Sequence, residues 1–345
     1  MNEPKKILIF QTAFLGDVIL TLPLLQVLKR NFPNSEIDFV TTPRASEIIK
    51  THPAVNRVIL FDKKNEQKGW KGVFKLANKL RKENYEIVFS PHRSFRTSIL
   101  LFISNIPKRI SFDKSSFSFL YTDLVFYDNS KHEVERNLSL LEKIGITISN
   151  KEIPKIGILK THKEKIDKII LENSIGKKII CIAPGSIWNT KRWTPENFAK
   201  TIELISQNFN NYTFILIGAN EDETLCEQII SQSNNSSAIN LAGKLSLIES
   251  AELISRAEIL ISNDSAPLHI GVAVETKVVA IFGPTVTDFG FAPYGNNHLV
   301  IENKNLKCRP CSKHGGDSCP IKTFECMLSL TPEKIFSEIK FFLKN

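Results

Sequence analysis

Three short segments of this chain combine residue types on which chemistry can be built. Gln11 to Asp17 reads QTAFLGD, in which Gly16 lets the backbone turn and Asp17 sets a carboxylate at the start of a helical stretch. That carboxylate can take a proton or simply cap the helix. Pro184 to Trp193 (PGSIWNTKRW) places the hydroxyls of Ser186 and Thr190 beside Lys191 and Arg192 ahead of a helix, a composition suited to phosphate oxygens. The competing reading is a solvated basic loop. In Ser262 to His269 (SNDSAPLH), Ser265 and Ala266 are small residues at a helix start, where free N–H groups and the helix dipole favour an anion. Asp264 can instead be a plain N-cap and His269 a structural histidine. The G-x-G-x-x-G dinucleotide fingerprint and the G-x-x-x-x-G-K-[ST] phosphate loop are both absent.

The elements around these segments decide whether they can act together. Lys5–Phe10 (KKILIF) reads as a buried strand, followed by a helical stretch from about Val18 to Arg30. Strands at Ile37–Val40, Arg57–Phe61 and Glu86–Phe89 then alternate with helices at Ser46–Thr51 and Trp70–Lys82. The pattern restarts at Lys177–Ala183. It continues through a helix at Thr194–Phe209 with Pro195 in its first turn, a strand at Tyr212–Ile217, and the segments Leu247–Ser255, Ile259–Ser262, Leu268–Ala273 and Val278–Phe282. This alternation predicts an α/β protein of two doubly wound parallel-sheet domains in tandem, joined near residue 165. Ligands of such sheets bind outside the carboxyl ends of the strands. All three segments fall on that edge, which points to a ligand held between the domains.

Composition agrees with a folded chain of this kind. The 345 residues are 42% hydrophobic and 23% charged, which excludes general disorder. Apolar runs such as Ile99 to Ile103 are far short of the roughly 20 residues a membrane-spanning helix needs. The start resembles a secretory signal, with Lys5 and Lys6 before an apolar stretch. Gln11, Asp17 and Thr21 interrupt it and no small-residue cleavage site follows, so a cytoplasmic location is expected. The net charge of +9 is uneven: residues 1–150 carry 23 Lys/Arg against 15 Asp/Glu (+8), and residues 151–345 carry 22 against 21 (+1). The first half is therefore expected to meet something anionic, unless its basic surface is merely solvated. No aromatic RNA-binding motif or recognition helix accompanies the charge, which argues against nucleic acid as partner.

The stretches ILIFQTAFLGDVILTLPLLQVLK, APGS…TKRWTPENFAK, SNDSAPLHIGVAVETKVVAIFGPT and the terminal CRPC…CP…CM, together with His132 to Asn137 (HEVERN), resemble bacterial lipopolysaccharide heptosyltransferases, the ADP-heptose-using glycosyltransferases of family 9. The resemblance covers nearly the whole chain. It implies a GT-B fold, two Rossmann-like domains facing each other across a cleft. Residues 1–165 would bind the acceptor and 166–330 the nucleotide sugar, with a C-terminal helix in 331–345 packing back on the first domain. It further implies an inverting, metal-independent transfer of L-glycero-D-manno-heptose from ADP-heptose to the lipopolysaccharide inner core, with no cofactor. No Asp-x-Asp motif occurs, in agreement.

By motif position, the resemblance makes Asp17 the catalytic base and Lys191 the diphosphate-binding lysine, helped by Ser186 and Thr190. Asp264, Ser265, Ala266 and His269 match a D-[ST]-G-x-x-H segment that contacts diphosphate and sugar, with Ala266 in place of the commoner glycine. The turn around Leu245 matches the adenine-reading one; the acidic residue that some members use on the ribose falls at or beside Asn220-Glu221, and that role stays open. The acceptor carries carboxylates and often phosphates, which suits Arg93 and Arg96 after the strand Glu86–Phe89, with Arg109 behind them; the alternative is that they pair with acids or face solvent. The helix Trp70–Lys82 sets Trp70, Val73, Phe74, Ala77 and Leu80 on one side and Lys71, Lys75, Lys79 and Lys82 elsewhere. It is expected to cover a sheet, and the same character fits peripheral contact with the cytoplasmic face of the inner membrane. A related transferase using another nucleotide sugar is the main alternative, and a non-catalytic binding module is a weaker one. The first-, second- and third-heptose roles stay open, the second being favoured. Cys308, Cys311, Cys319 and Cys326 are spaced so that a structural zinc ion, disulfides or free thiols all remain possible; no catalytic metal is expected.

Overall fold

The apolar stretches KILIF and KIICIA are buried along nearly their whole length, as strands covered on both faces must be. Each founds a separate parallel sheet in the computed structural model, which describes residues 3–235 and 237–343. The first compact unit ends at Gly157 and the second begins at Ile158.

In the first unit the chain runs through β1 (Lys6–Phe10), α1 (Leu15–Ile19), α2 (Leu22–Asn31), β2 (Glu36–Thr41), α3 (Ser46–Lys50), β3 (Arg57–Leu60), α4 (Gly69–Arg81), β4 (Ile87–Phe89), α5 (Phe95–Ile103), β5 (Lys108–Phe112), β6 (Asp123–Val125) and α6 (Glu133–Ser139). The strands stack in the order β3-β2-β1-β4-β5-β6, every pair parallel. Leu8 and Phe10 of β1 share a core with Val73, Leu76, Ala77 and Leu80, the inner stripe of α4.

The second unit begins with α7 (Lys160–Glu172) and continues through β7 (Lys178–Ala183), α8 (Pro195–Asn208), β8 (Tyr212–Leu216), α9 (Glu223–Ser233), β9 (Ala238–Asn240), α10 (Leu247–Ser255), β10 (Ile259–Asn263), α11 (Ala266–Ala273), β11 (Lys277–Phe282), β12 (Leu299–Glu302), α12 (Glu325–Leu328) and α13 (Pro332–Ile339). Its sheet order is β12-β11-β10-β7-β8-β9, again all parallel. Numbered within its own unit, each sheet reads 3-2-1-4-5-6, the Rossmann order. The order reverses between β1 and β4 in one unit and between β7 and β10 in the other.

One local expectation changes. The helix foreseen over Val18–Arg30 is two helices that meet at Leu20-Thr21, where the Thr21 hydroxyl donates to the Asp17 carbonyl (2.8 Å) and Pro23 opens α2. The units divide at Gly157 and Ile158, and α7 packs on α10 in the second unit. The terminal helix α13 lies on α8 in the second unit, and Ile335, Ile339 and Leu343 join the core of Trp193 and Phe198. Its apolar stripe is satisfied there, and the Trp193 indole N–H fixes the approach by donating to the Leu330 carbonyl (2.9 Å). The outermost residues of the expected domains, Met1, Asn2, Lys344 and Asn345, lie outside the described residues.

Candidate active site

The ligand crevice of a doubly wound sheet opens at the carboxyl ends of the strands where the order reverses. In the first unit the loop after β1 leads to Asp17, the third residue of α1. Its Oδ2 accepts from the Phe14 amide (3.1 Å), so it does cap the helix, as a carboxylate at this position can. It is also tuned. Enclosure by protein, then the negative charge of Glu133, raise its pKa to about 7, while backbone N–H groups and the Arg93 cation oppose the rise. The side chain is half-buried and still reaches solvent. A carboxyl that titrates near neutrality is matched to taking a proton from a hydroxyl.

The HEVERN segment holds this arrangement. Glu133 Oε2 accepts from Arg136 Nη1 and from the Tyr127 hydroxyl, both at 2.9 Å, and all three side chains are buried. Further Arg136 nitrogens donate to the Asp128 and Asn129 carbonyls (2.8 Å each), and Asn137 Nδ2 reaches the Leu20 carbonyl (3.1 Å). The segment thereby fastens α6 to the α1–α2 corner that carries Asp17. Tyr127 also supports Arg93, whose guanidinium carbon sits 3.9 Å from the ring centroid.

The loop after β4 and the first turn of α5 bring in His92, Arg93 and Arg96, and Lys63 joins them from the loop after β3. Lys63 donates to the Thr12 carbonyl (2.7 Å) and hydroxyl (3.0 Å), and His92 Nδ1 lies 2.7 Å from the Thr97 hydroxyl. Burial, with the Arg96 cation adding to it, lowers the Lys63 pKa to about 8; burial, then Lys63 and Arg93, push His92 down to about 3. Among the described residues none of Lys63, Arg93 and Arg96 makes an ion pair. Arg93 does act on the nearby Asp17 carboxyl, but three cations gathered without an ion pair have the character of an anion site. The sequence reading missed Lys63, though a lysine pair one residue beyond the strand RVILF was the available signal. Arg109 does not belong here. It lies near the start of β5, opposite Val88, and its Nε and Nη1 are spent on the Leu120 (3.0 Å) and Ile106 (2.6 Å) carbonyls. Its task is to close the β5–β6 connection.

In the second unit the reversing strands β7 and β10 carry the other two loops. Lys191 Nζ meets Asp264 Oδ2 at 2.6 Å, and the Thr285 hydroxyl donates to the same oxygen (2.6 Å). Asn263, fully buried, clamps the loops together: its Nδ2 donates to the Pro184 carbonyl (2.7 Å) and its Oδ1 accepts from the Trp193 amide (3.1 Å). Ser186 is half-buried and its carbonyl takes the Arg192 Nε (2.8 Å). Ser265 is the N-cap of α11, half-buried and extended (φ −153°), Ala266 is the first helical residue, and His269 is buried within the helix. Ala266 is not among the positive-φ residues, so its methyl group causes no backbone strain. Leu245 is half-buried in the turn after β9, where Gly243 (φ +74°) donates to the Gly218 carbonyl (3.0 Å).

The model of glycosyltransferase family 9 (heptosyltransferase) matches residues 73–320. This chain belongs to glycosyltransferase family 9. A curated relative, lipooligosaccharide heptosyltransferase 2 of Campylobacter jejuni, is 29% identical over 342 residues, 97% of this chain and 98% of its own. Among solved structures, a family 9 glycosyl transferase from Veillonella parvula superposes with a TM-score of 0.84 at 23% identity, covering 99% of this chain and 98% of its own. The E. coli ADP-heptose lps heptosyltransferase II does so with 0.79 at 21% identity, covering 98% of both. The fold is therefore that of the GT-B heptosyltransferases, and the protein is a glycosyltransferase.

In this family 9 chain the cysteine-rich segment proves to be a brace. Thr190 and Gly316 exchange two hydrogen bonds, the Thr190 amide to the Gly316 carbonyl (3.0 Å) and the Gly316 amide to the Thr190 hydroxyl (2.8 Å). Gly315 (φ +92°) passes so close that a Cβ there would lie 3.1 Å from Lys191 Cγ and 3.0 Å from Trp188 Cβ. Arg309 donates to the Thr285 carbonyl (2.5 Å) and to Glu302 (2.8 Å), backing the threonine that holds Asp264. All six cysteines are free thiols, and no group of three or more His, Cys, Asp or Glu side chains among the described residues is arranged to hold a metal ion. At Gly185 a Cβ would fall 2.3 Å from the Asp222 carboxylate, so any larger residue would have to displace that side chain.

Proposed function

We propose that this glycosyltransferase moves L-glycero-D-manno-heptose from ADP-heptose to the inner core of lipopolysaccharide, with inversion and without a metal ion. The reading rests on the family, on the heptosyltransferase 2 relative and on the solved structure named for ADP-heptose. The single observation that carries the chemistry is the half-buried Asp17 carboxyl, with a pKa near 7, at the strand reversal of the first unit.

In the proposed reaction Asp17 takes the proton of the acceptor hydroxyl as that oxygen bonds to the anomeric carbon. The bond from that carbon to the diphosphate oxygen breaks, and ADP leaves with the electron pair. Lys191 neutralises the charge that grows on the diphosphate, and the N–H groups at the start of α11 add their dipoles. Asp264 acts by holding Lys191, since a second anion facing the phosphates would repel them. Ser186, Thr190, Ser265, Ala266 and His269 shape the diphosphate and sugar pocket, and the turn at Leu245 receives the adenine. Lys63, Arg93 and Arg96 bind the carboxylates or phosphates of the acceptor. That acceptor is lipid-linked, so the enzyme works at the cytoplasmic face of the inner membrane.

The test is calorimetric titration with ADP, UDP and GDP, followed by transfer from ADP-heptose to Kdo-lipid A or its mono-heptosyl form in EDTA. Selective ADP binding and EDTA-resistant transfer support the reading. Preference for UDP or GDP would instead favour a related transferase with another sugar nucleotide, and loss of transfer in EDTA would overturn the metal-free step.

A further inference from the structure

The helix α4 is half-explained by the core it covers. Val73, Leu76, Ala77 and Leu80 are buried, but Trp70 and Phe74, one turn apart, stand 46% and 48% exposed. Packing alone gives no reason for two large aromatics on the outer side. They are not isolated. The Trp70 ring centroid lies 6.3 Å from Phe74 and 6.1 Å from Phe95, the first residue of α5, which is itself 43% exposed. Three aromatics thus form one exposed cluster across the ends of two helices.

The charge around the cluster is of one sign. From Lys63 to Lys82 the chain carries eight basic residues (Lys63, Lys64, Lys68, Lys71, Lys75, Lys79, Arg81 and Lys82) and a single acid, Glu66. Lys71 and Lys75 are exposed and follow Trp70 and Phe74 directly, so an aromatic ridge and a lysine ridge run side by side along α4. Tryptophan and phenylalanine beside lysine suit the boundary between acyl chains and anionic head groups, the rings entering the apolar layer while the ammonium groups stay among the phosphates. A protein partner would be expected to offer acids to these lysines and a pocket to the rings. A lipid surface satisfies both without any fixed shape.

We propose that the Trp70–Phe74–Phe95 cluster with Lys71 and Lys75 is a docking surface for an anionic phospholipid membrane. It deepens the reading of a lipid-linked acceptor and rests on it for its purpose. Phe95 directly precedes Arg96 and closely follows Arg93, so the surface adjoins the cations assigned to the acceptor. Docking there would bring the anchored end of the acceptor to the loop that binds its head.

The experiment uses the full chain in two arms. In the first, flotation with vesicles of phosphatidylcholine alone, and with about one third phosphatidylglycerol, is compared for the natural protein, Trp70→Ser/Phe74→Ser and Lys71→Gln/Lys75→Gln. The natural protein is expected to float with the anionic vesicles only, and losing two lysines is expected to lower partitioning roughly thirtyfold. Quenching of Trp70 fluorescence by brominated acyl chains, with Trp70→Phe as control, reports insertion directly. Equal binding to both vesicle types, no binding, or variants that float like the natural protein would overturn the proposal. In the second arm, transfer to a water-soluble, deacylated acceptor is expected to be unchanged in both variants, while transfer to the acylated acceptor in vesicles falls. If neither acceptor is used but flotation behaves as expected, the substrate reading fails and the docking surface stands.

Discussion

Lys191 Nζ and Asp264 Oδ2 lie 2.6 Å apart with both side chains nearly buried, 12% and 9% exposed, and join the loops that follow β7 and β10. A pair so enclosed needs its partners complete, because stripping one leaves the other charge uncompensated. Removing Lys191 should therefore do two things at once: delete a cation for the diphosphate and strand Asp264. Lys191→Ala is expected to weaken ADP binding about 10- to 100-fold, the range of a lost charge-assisted hydrogen bond. Asp264→Ala should weaken it less, and the double variant should be no worse than Lys191→Ala. Calorimetry across this cycle checks it; additive losses would mean that the two residues act independently on the ligand.

Gly315 tests whether the brace matters. A methyl group there meets Lys191 Cγ at 3.1 Å, and the positive φ adds strain. Gly315→Ala is expected to raise the donor KM severalfold while the acceptor KM stays unchanged. Thr190→Val, which loses the hydroxyl that accepts from the Gly316 amide, should act in the same direction. A change in acceptor KM alone would show that the brace serves something other than the donor loop.

Arg109 and Arg96 should separate cleanly. Arg109→Lys loses the fork that satisfies the Leu120 and Ile106 carbonyls and is expected to destabilise the fold by about 1–3 kcal/mol with little change in acceptor KM. Arg96→Ala removes an exposed cation that makes no ion pair among the described residues, and should raise the acceptor KM while leaving Tm unchanged. Thermal melts beside steady-state kinetics decide both.

These contrasts also mark how far the sequence reaches. Strands such as KILIF, KIICIA and KVVAIF are legible because burial on both faces writes itself as an unbroken apolar run. The short strands β6 and β9, three residues each and at sheet edges, leave too little pattern to find. Asp17, Lys191 and Asp264 can be located because they follow strands in sequence. The support for them cannot, because it comes from Glu133, Thr285, Arg309 and Gly316, which are distant in the chain. Arg109 shows the converse failure: its type suits an anion, but its register opposite Val88 rather than beyond the strand end makes it structural. A terminal helix with a clear apolar stripe, α13, states that it must dock and not where.

The Asp17 carboxyl offers the sharpest test, since stability and rate depend on it with opposite demands. Its folded pKa, about 7, lies above the ordinary value of 3.8. Below pH 4 the carboxyl is protonated folded or unfolded and costs nothing. Between 4 and 7 the unfolded chain gains by ionising first, and above 7 the penalty is fully present. Asp17→Asn is therefore expected to raise Tm at pH 8, by a stability gain of about 1–3 kcal/mol, and to leave it unchanged near pH 4. The same substitution should lower kcat about 10²- to 10⁴-fold with ADP affinity intact. In the natural enzyme kcat/KM should fall as pH drops through about 7, as the base becomes protonated. Because the Arg93 cation favours the ionised form of Asp17, Arg93→Met should move that limb to higher pH, by roughly half a unit to one unit. A limb that stays in place or moves to lower pH in Arg93→Met would remove Asp17 as the group that titrates.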